Sequence, residues 1–243
     1  MNLKNRGALI TGASRGIGKA IAESLAREGV RLFLTARDHR RLQNVKQELD
    51  SHGATVGIGE ADLADQKQIG KMFDSARDFL GEIDILVNNA GLGIESEVVN
   101  MSSDDWDRTL NVNLRAAFLL SKLAAGGMIS RKSGHIINIG SGASQTPIAG
   151  FAAYCASKYG LLGFSESLGL ELRQHNIKVS IILPGSTATY FGRGDPAEKI
   201  KSKPGILNPS DIADSVIYLL KQSEVAWTSI MNLRPLNLTG GRK

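Results

Sequence analysis

Residues 8–18 read Ala8-Leu9-Ile10-Thr11-Gly12-Ala13-Ser14-Arg15-Gly16-Ile17-Gly18. A short apolar run with strand character passes at Thr11 into a glycine-rich turn, and an amphipathic stretch of helical length (17–28) follows directly. Glycines at such a turn let the backbone bend sharply and approach a pyrophosphate. The helix N-terminus behind them offers unpaired N–H donors and the positive end of its dipole. Alone, a glycine-rich turn says little. Between the first strand and first helix of an α/β chain it reads as a dinucleotide cradle, built from Gly12, Ser14, Arg15, Gly16, Ile17 and Gly18.

The rest of the chain supplies that context. Strand-like runs recur at 8–11, 31–36, 55–59, 83–88, 135–139, 178–183 and 230–233, separated by amphipathic stretches at 17–28, 39–52, 65–80, 104–130, 152–175 and 209–222. Several strands are apolar nearly throughout, as in Ile83, Ile85, Leu86 and Val87, which suits a parallel sheet covered on both faces. The expectation is an α/β Rossmann-type, doubly wound domain over 1–243, with seven parallel strands and right-handed crossovers. The most irregular stretch, 184–208, holds three of the six prolines. It follows the sixth strand, on the edge where such sheets bind ligands, so residues of about 186–208 are expected to form a flexible substrate loop.

The end of the second strand bears on the choice of cofactor. NAD binders usually carry an acid there to hold the ribose 2′-hydroxyl. Here the position is Ala36, followed by Arg37, with Arg15 in the glycine turn on the same side. Two guanidinium groups suit a 2′-phosphate, so NADP(H) is expected and NAD is disfavoured. Asp38 fits as the N-cap of the next helix.

Composition excludes other classes. Apolar residues make up 42% of the 243 and charged residues 22%, enough for a full core and unlike a disordered chain. One cysteine rules out an internal disulfide, and four scattered histidines offer no metal-ligand spacing. The net charge of +5 comes from dispersed basic residues with no aromatic side chains alternating among them, so no nucleic-acid partner is expected. No apolar run approaches the roughly 20 residues of a membrane span, and the start lacks the h-region of a signal peptide. A cytoplasmic protein without membrane contact is the expectation.

Tyr154 and Lys158 stand at i and i+4, on one face of a helix. Ser141 follows the fifth strand, and Asn113 lies on the preceding long helix. All four converge on the C-terminal edge of the sheet, where the glycine turn also lies. With these motifs in order (the glycine turn, Asp62-Leu63, Asn88-Asn89-Ala90-Gly91, Asn113, Ser141, Tyr154/Lys158 and Pro184-Gly185), the sequence resembles the short-chain dehydrogenase/reductase family in its single-domain branch. The resemblance runs from about Leu3 to Gln222.

That resemblance implies roles. Tyr154 would be the general acid in carbonyl reduction and the base in alcohol oxidation. Lys158 would lower the phenol's pKa and hold the nicotinamide ribose. Ser141 would donate to the carbonyl oxygen, and Asn113 would hold a water connecting Lys158 to solvent. Asp62 would accept from the adenine amino group, Leu63 would flank the ring, Asn89 would line the adenosine ribose and Thr187 would touch the carboxamide. Cys155 reads as structural filler.

The substrate wall is expected from Leu92, Ile94, Gln145, Phe151, Tyr190 and Phe191. The N-terminal half looks most like 3-oxoacyl-[acyl-carrier-protein] reductases, and Arg131, Lys132, Arg173 and His175 could then meet an acyl carrier protein. The C-terminus departs from that group. Closing in Arg234-Pro235, it is more like the sepiapterin-reductase-like carbonyl reductases. Apolar residues around much of 152–175, with 104–130 beside it, imply a homodimer or homotetramer. The readings are thus an NADP(H)-dependent ketone, diketone or pterin-type reductase, a 3-oxoacyl thioester reductase, or a non-catalytic NADPH-binding sensor.

Overall fold

The computed structural model describes residues 2–189, 191, 195–202 and 205–236. Seven strands form one parallel sheet in the order β3-β2-β1-β4-β5-β6-β7. They are β1 (Gly7–Thr11), β2 (Arg31–Ala36), β3 (Val56–Glu60), β4 (Ile85–Asn88), β5 (Gly134–Ile139), β6 (Ile177–Pro184) and β7 (Ile230–Leu233). The strand order reverses between β1 and β4, the crevice where open α/β sheets bind ligands.

Alternate residues along each strand feed opposite layers. Ile10, Leu32, Leu34, Val87 and Ile137 pack with α1 (Gly16–Arg27), α2 (His39–Ser51) and α8 (Pro209–Lys221) on one face. Leu9, Phe33, Leu86 and Ile136 pack on the other with α3 (Gln66–Leu80), α5 (Ala116–Arg131) and the end of α6 (Ala152–Leu172). The period-2 side-chain alternation thus splits one sheet between two cores. Helix starts are capped from the sequence. Asp38 accepts from the Arg41 N–H at 3.0 Å, Asp65 accepts from the Lys67 N–H at 2.8 Å, and Pro209 opens α8.

Two expectations change. The single helix over 104–130 is α4 (Ser103–Leu110), a π-turn (Asn111–Arg115) and α5 in succession. The stretch 184–208 is not irregular throughout, because α7 (Pro196–Ser202) lies within it. The run from α4 through α5 is the one helix among the described residues long and apolar enough to cross a membrane, at mean hydropathy 1.2. Half of its apolar window is buried inside this fold, as in a core helix.

Candidate active site

A cleft of about 1490 Å³ runs along the C-terminal edge of the sheet. The cradle forms its middle. Gly16 turns with φ of 57°, and the space where its Cβ would stand is open apart from Thr189, whose Cγ2 lies 3.5 Å away. Gly12, also at positive φ, sits so close to β4 that a Cβ would come within 2.9 Å of the Ala90 Cα. This floor of glycine backbone at a helix N-terminus fits a pyrophosphate. Gly12, Ser14, Arg15, Gly16 and Ile17 line the cleft. Gly18 does not: it is buried against the Gly12 carbonyl, where a Cβ would lie 2.4 Å from that oxygen, so its part is close helix packing.

At one end, Arg15 and Arg37 line the cleft as expected, joined by Arg41 and His39, which the sequence reading did not assign. Asp38 is spent as the cap of α2 and pairs with Arg41 at 3.2 Å. It is therefore placed to organise a cation rather than to receive a ribose hydroxyl. Asp62 and Leu63 line the same end. The Asp62 carboxylate accepts from the Ala64 N–H at 3.0 Å and from Arg108 at 3.0 Å; these contacts hold its pKa below the usual range although burial works against them. Asn89 reaches the cleft, but its amide braces the cradle, donating to the Thr11 carbonyl at 2.8 Å and the Gly12 carbonyl at 3.2 Å.

At the other end stand Ser141, Tyr154 and Lys158. The Ser141 Oγ accepts from the Ala143 N–H at 3.1 Å. That contact occupies one lone pair, and the hydroxyl is near enough to the Tyr154 phenol to act on its pKa. The buried Ser144 hydroxyl accepts from the Ser141 N–H at 3.3 Å and fixes the turn. Lys158, one turn after Tyr154, is only 4% exposed. Its ammonium donates to the Ile139 carbonyl at 2.8 Å and lies 5.8 Å from the centre of the Tyr154 ring.

Burial sets the charges here. It pushes Tyr154 up to about 12, partly opposed by the neighbouring Ser141 hydroxyl, and brings Lys158 down to about 8. The phenol is thus raised where Lys158 was expected to lower it. Desolvation of a ring 8% exposed is the largest influence on it.

Asn113 is buried in the π-turn, and its side chain is fully engaged. Oδ1 accepts from the Leu92 N–H at 2.8 Å, while Nδ2 donates to the Leu92 carbonyl at 2.8 Å and to the Ser157 Oγ at 2.9 Å. It belongs to the constellation, but as an anchor rather than a side chain free to hold water. A Cβ on Gly91 would lie 3.4 Å from Asn113 Oδ1 and 3.6 Å from Lys158 Nζ, which marks where the two residues converge.

Thr187 lines the cleft with its hydroxyl turned to the Gly185 carbonyl at 2.9 Å. Thr189, unassigned from sequence, is the threonine set against the cradle. Of the expected wall, Leu92, Phe151 and Phe191 line the cleft; Ile94 and Gln145 do not, and Tyr190 lies outside the described residues. Thr146 and Ile148 join the wall, and Cys155 holds that loop by accepting from the Ile148 N–H at 3.3 Å. The proposed carrier-protein patch sits where β5 and β6 begin, at the opposite edge of the sheet from Ser141. Its Arg131 is bound to Glu82 and to the Ile83 carbonyl.

Comparison with known proteins agrees with this geometry. The short chain dehydrogenase family model matches residues 6–199. The chain is 37% identical over 238 residues to a glycine betaine reductase (ATRR) of Emericella nidulans, covering 94% of this chain but only 19% of that much longer protein. It is also 37% identical over 193 residues to the 3-oxoacyl-[acyl-carrier-protein] reductase FabG of Escherichia coli K12, covering 79% of this chain and 78% of that one. Among solved structures, a metagenomic short-chain oxidoreductase in complex with NADP superposes with a TM-score of 0.86 at 38% identity, covering 98% of this chain and all of the other. By sequence, by sheet order and by the grouping of Ser141, Tyr154 and Lys158 in one cleft, the chain belongs to the short-chain dehydrogenase family of oxidoreductases.

Proposed function

We propose that the protein is an NADP(H)-dependent oxidoreductase interconverting a ketone and a secondary alcohol. One observation carries the reading. A single cleft has an end with three arginines, Arg15, Arg37 and Arg41, set among the carboxylates of Asp38, Glu60 and Asp62, and a proton-transfer end at Ser141, Tyr154 and Lys158, with the glycine cradle between them. The NADP complex of the 38%-identical neighbour supports the choice of cofactor.

The arginines would hold the 2′-phosphate, the cradle the pyrophosphate, and Lys158 the nicotinamide ribose. Reduced nicotinamide bound there would supply the hydride that adds to the carbonyl carbon. Tyr154, a neutral phenol at physiological pH, gives its phenolic proton to the carbonyl oxygen as negative charge develops there. Ser141, with one lone pair committed to Ala143, directs its hydrogen to the same oxygen. Lys158 steadies the phenolate and passes a proton back, and Asn113 keeps the π-turn beside it. The apolar wall excludes water while charge moves.

A 3-oxoacyl thioester substrate is the second reading, favoured by the identity with FabG. It is weakened by the position of the basic patch at the far sheet edge. The exposed Phe118, Leu123, Tyr159 and Leu170 on α5 and α6 support a homodimer through these helices, and a monomer on size exclusion would contradict it. The test of function is NADPH consumption against α-diketones, aryl ketones, sepiapterin and 3-oxoacyl thioesters, each repeated with NADH. Turnover with a marked NADPH preference is expected. Binding of NADPH without turnover of any carbonyl would favour a sensor.

A further inference from the structure

Beside Tyr154 the cleft carries an aromatic wall with an open apolar face. The Phe191 ring lies 5.1 Å from the Tyr154 ring, tilted by 46°, and Phe151 meets Tyr154 edge-on at 6.4 Å. The two phenyl rings converge at Gly93, where a Cβ would come within 2.8 Å of Phe191 and 3.6 Å of Phe151. Residue 93 is therefore a glycine because the rings occupy the space a side chain would take. Although it leans on Tyr154, Phe191 remains 39% exposed, and Ile148 is 48% exposed. Both line the cleft. Apolar faces left open inside a ligand cleft call for an apolar ligand surface.

The charges fit the same picture. From Leu92 to Phe151 the cleft lining has no charged side chain, and Arg234 lines the cleft on the other side, beside Gly185. Lys199 lies nearby, but its ammonium donates to the Thr189 carbonyl at 2.7 Å and the Phe191 carbonyl at 2.6 Å, holding the backbone that presents the ring. Resting on the reductase reading above, we propose that the substrate is an aryl ketone. Its flat, uncharged substituent stacks on the open face of Phe191 beside Ile148 and Phe151, and its carbonyl sits between Ser141 and Tyr154. Phe191 and Ile148 are then specificity-determining residues, with Gly93 making room for the ring.

The test compares kcat/KM with NADPH for acetophenone, 4-acetylbenzoate, diacetyl and a 3-oxobutyryl thioester, in the unaltered protein and in Phe191→Ala and Phe191→Leu. Acetophenone is expected to exceed 4-acetylbenzoate by about thirtyfold or more, since the carboxylate would lose water against an apolar wall. The acetophenone-to-diacetyl ratio should fall about tenfold in Phe191→Ala, the scale of a lost ring contact. Phe191→Leu keeps apolar volume without the ring and decides the matter if the alanine variant does not fold. Equal use of 4-acetylbenzoate, preference for the thioester, or a ratio unmoved by loss of the ring would overturn the proposal while leaving carbonyl reduction standing. No turnover of any carbonyl would remove both.

Discussion

The Asn113 Nδ2 donates to the Ser157 Oγ at 2.9 Å, and Ser157 in turn donates to the Tyr154 carbonyl at 2.7 Å. This short path ties the π-turn to the helix that carries Tyr154 and Lys158. It is possible because α6 approaches the turn closely: a Cβ on Gly160 would lie 2.8 Å from Leu114. Ser157→Ala should leave Asn113 without one acceptor and loosen the Tyr154 turn. A fall of about tenfold in kcat is expected, with NADPH affinity little changed and recovery in Ser157→Thr. Equal losses in the alanine and threonine variants would deny Ser157 this positioning role.

Cofactor choice should follow the arginine end of the cleft. Arg37→Asp removes one cation and adds an anion where the 2′-phosphate would lie. The kcat/KM ratio for NADPH over NADH should drop by roughly two orders of magnitude, the scale of a lost charge-assisted phosphate pair. If the ratio holds, Arg15 and Arg41 are sufficient and the reading of Arg37 is wrong.

The pH dependence of reduction should report Lys158. Burial brings its pKa down to about 8, so the ammonium is present below that value and lost as the pH rises through it. Reduction should therefore be flat on the acid side and fall about tenfold per unit above the break. Tyr154, pushed up to about 12, stays a proton donor across this range, and alcohol oxidation should rise with pH. A reduction profile flat through about pH 9 would contradict the assignment.

Stability should carry a separate signature from His135. It is buried in β5 with its Nε2 2.9 Å from the Ser180 hydroxyl, and desolvation lowers its pKa to about 3. The folded state therefore binds fewer protons than the unfolded chain between about pH 3 and 6.5. Stability is complete above that window and declines as pH falls through it. Between pH 6.5 and 5 the loss should be about 1.6 kcal/mol in denaturant unfolding. In His135→Val the slope should lessen by one proton, and an unchanged slope would assign the effect elsewhere.

Much of this was legible because burial writes a simple pattern. The strands β2 and β7 stand at the predicted residues, and the others are displaced by one or two, since apolar runs buried on both faces mark a parallel sheet directly. The π-turn was not legible. Asn111-Val112-Asn113-Leu114-Arg115 keeps a helical pattern, and the tertiary contact it makes, Asn113 with the backbone of Leu92, is distant in sequence. Helix α7 escaped because Pro196–Ser202 is short and mostly polar, without an apolar face to give a period. The phenol's raised pKa was equally hidden. The Tyr154/Lys158 spacing gives their proximity, and Phe151 is the cap residue of the same helix, whereas Phe191, the ring nearest to Tyr154, comes from a segment distant in sequence.

The central claim is that Tyr154 transfers the proton at the end of an NADP(H) cleft. Tyr154→Phe keeps the ring and its packing against Phe151 and Phe191 and removes only the hydroxyl. The decisive measurement is NADPH consumption with a reducible ketone alongside NADPH affinity, in the unaltered protein and in this variant. Turnover reduced by about a thousandfold or more, with affinity within a few fold, is the predicted result. Turnover that survives the substitution, or affinity that collapses with it, would contradict the account.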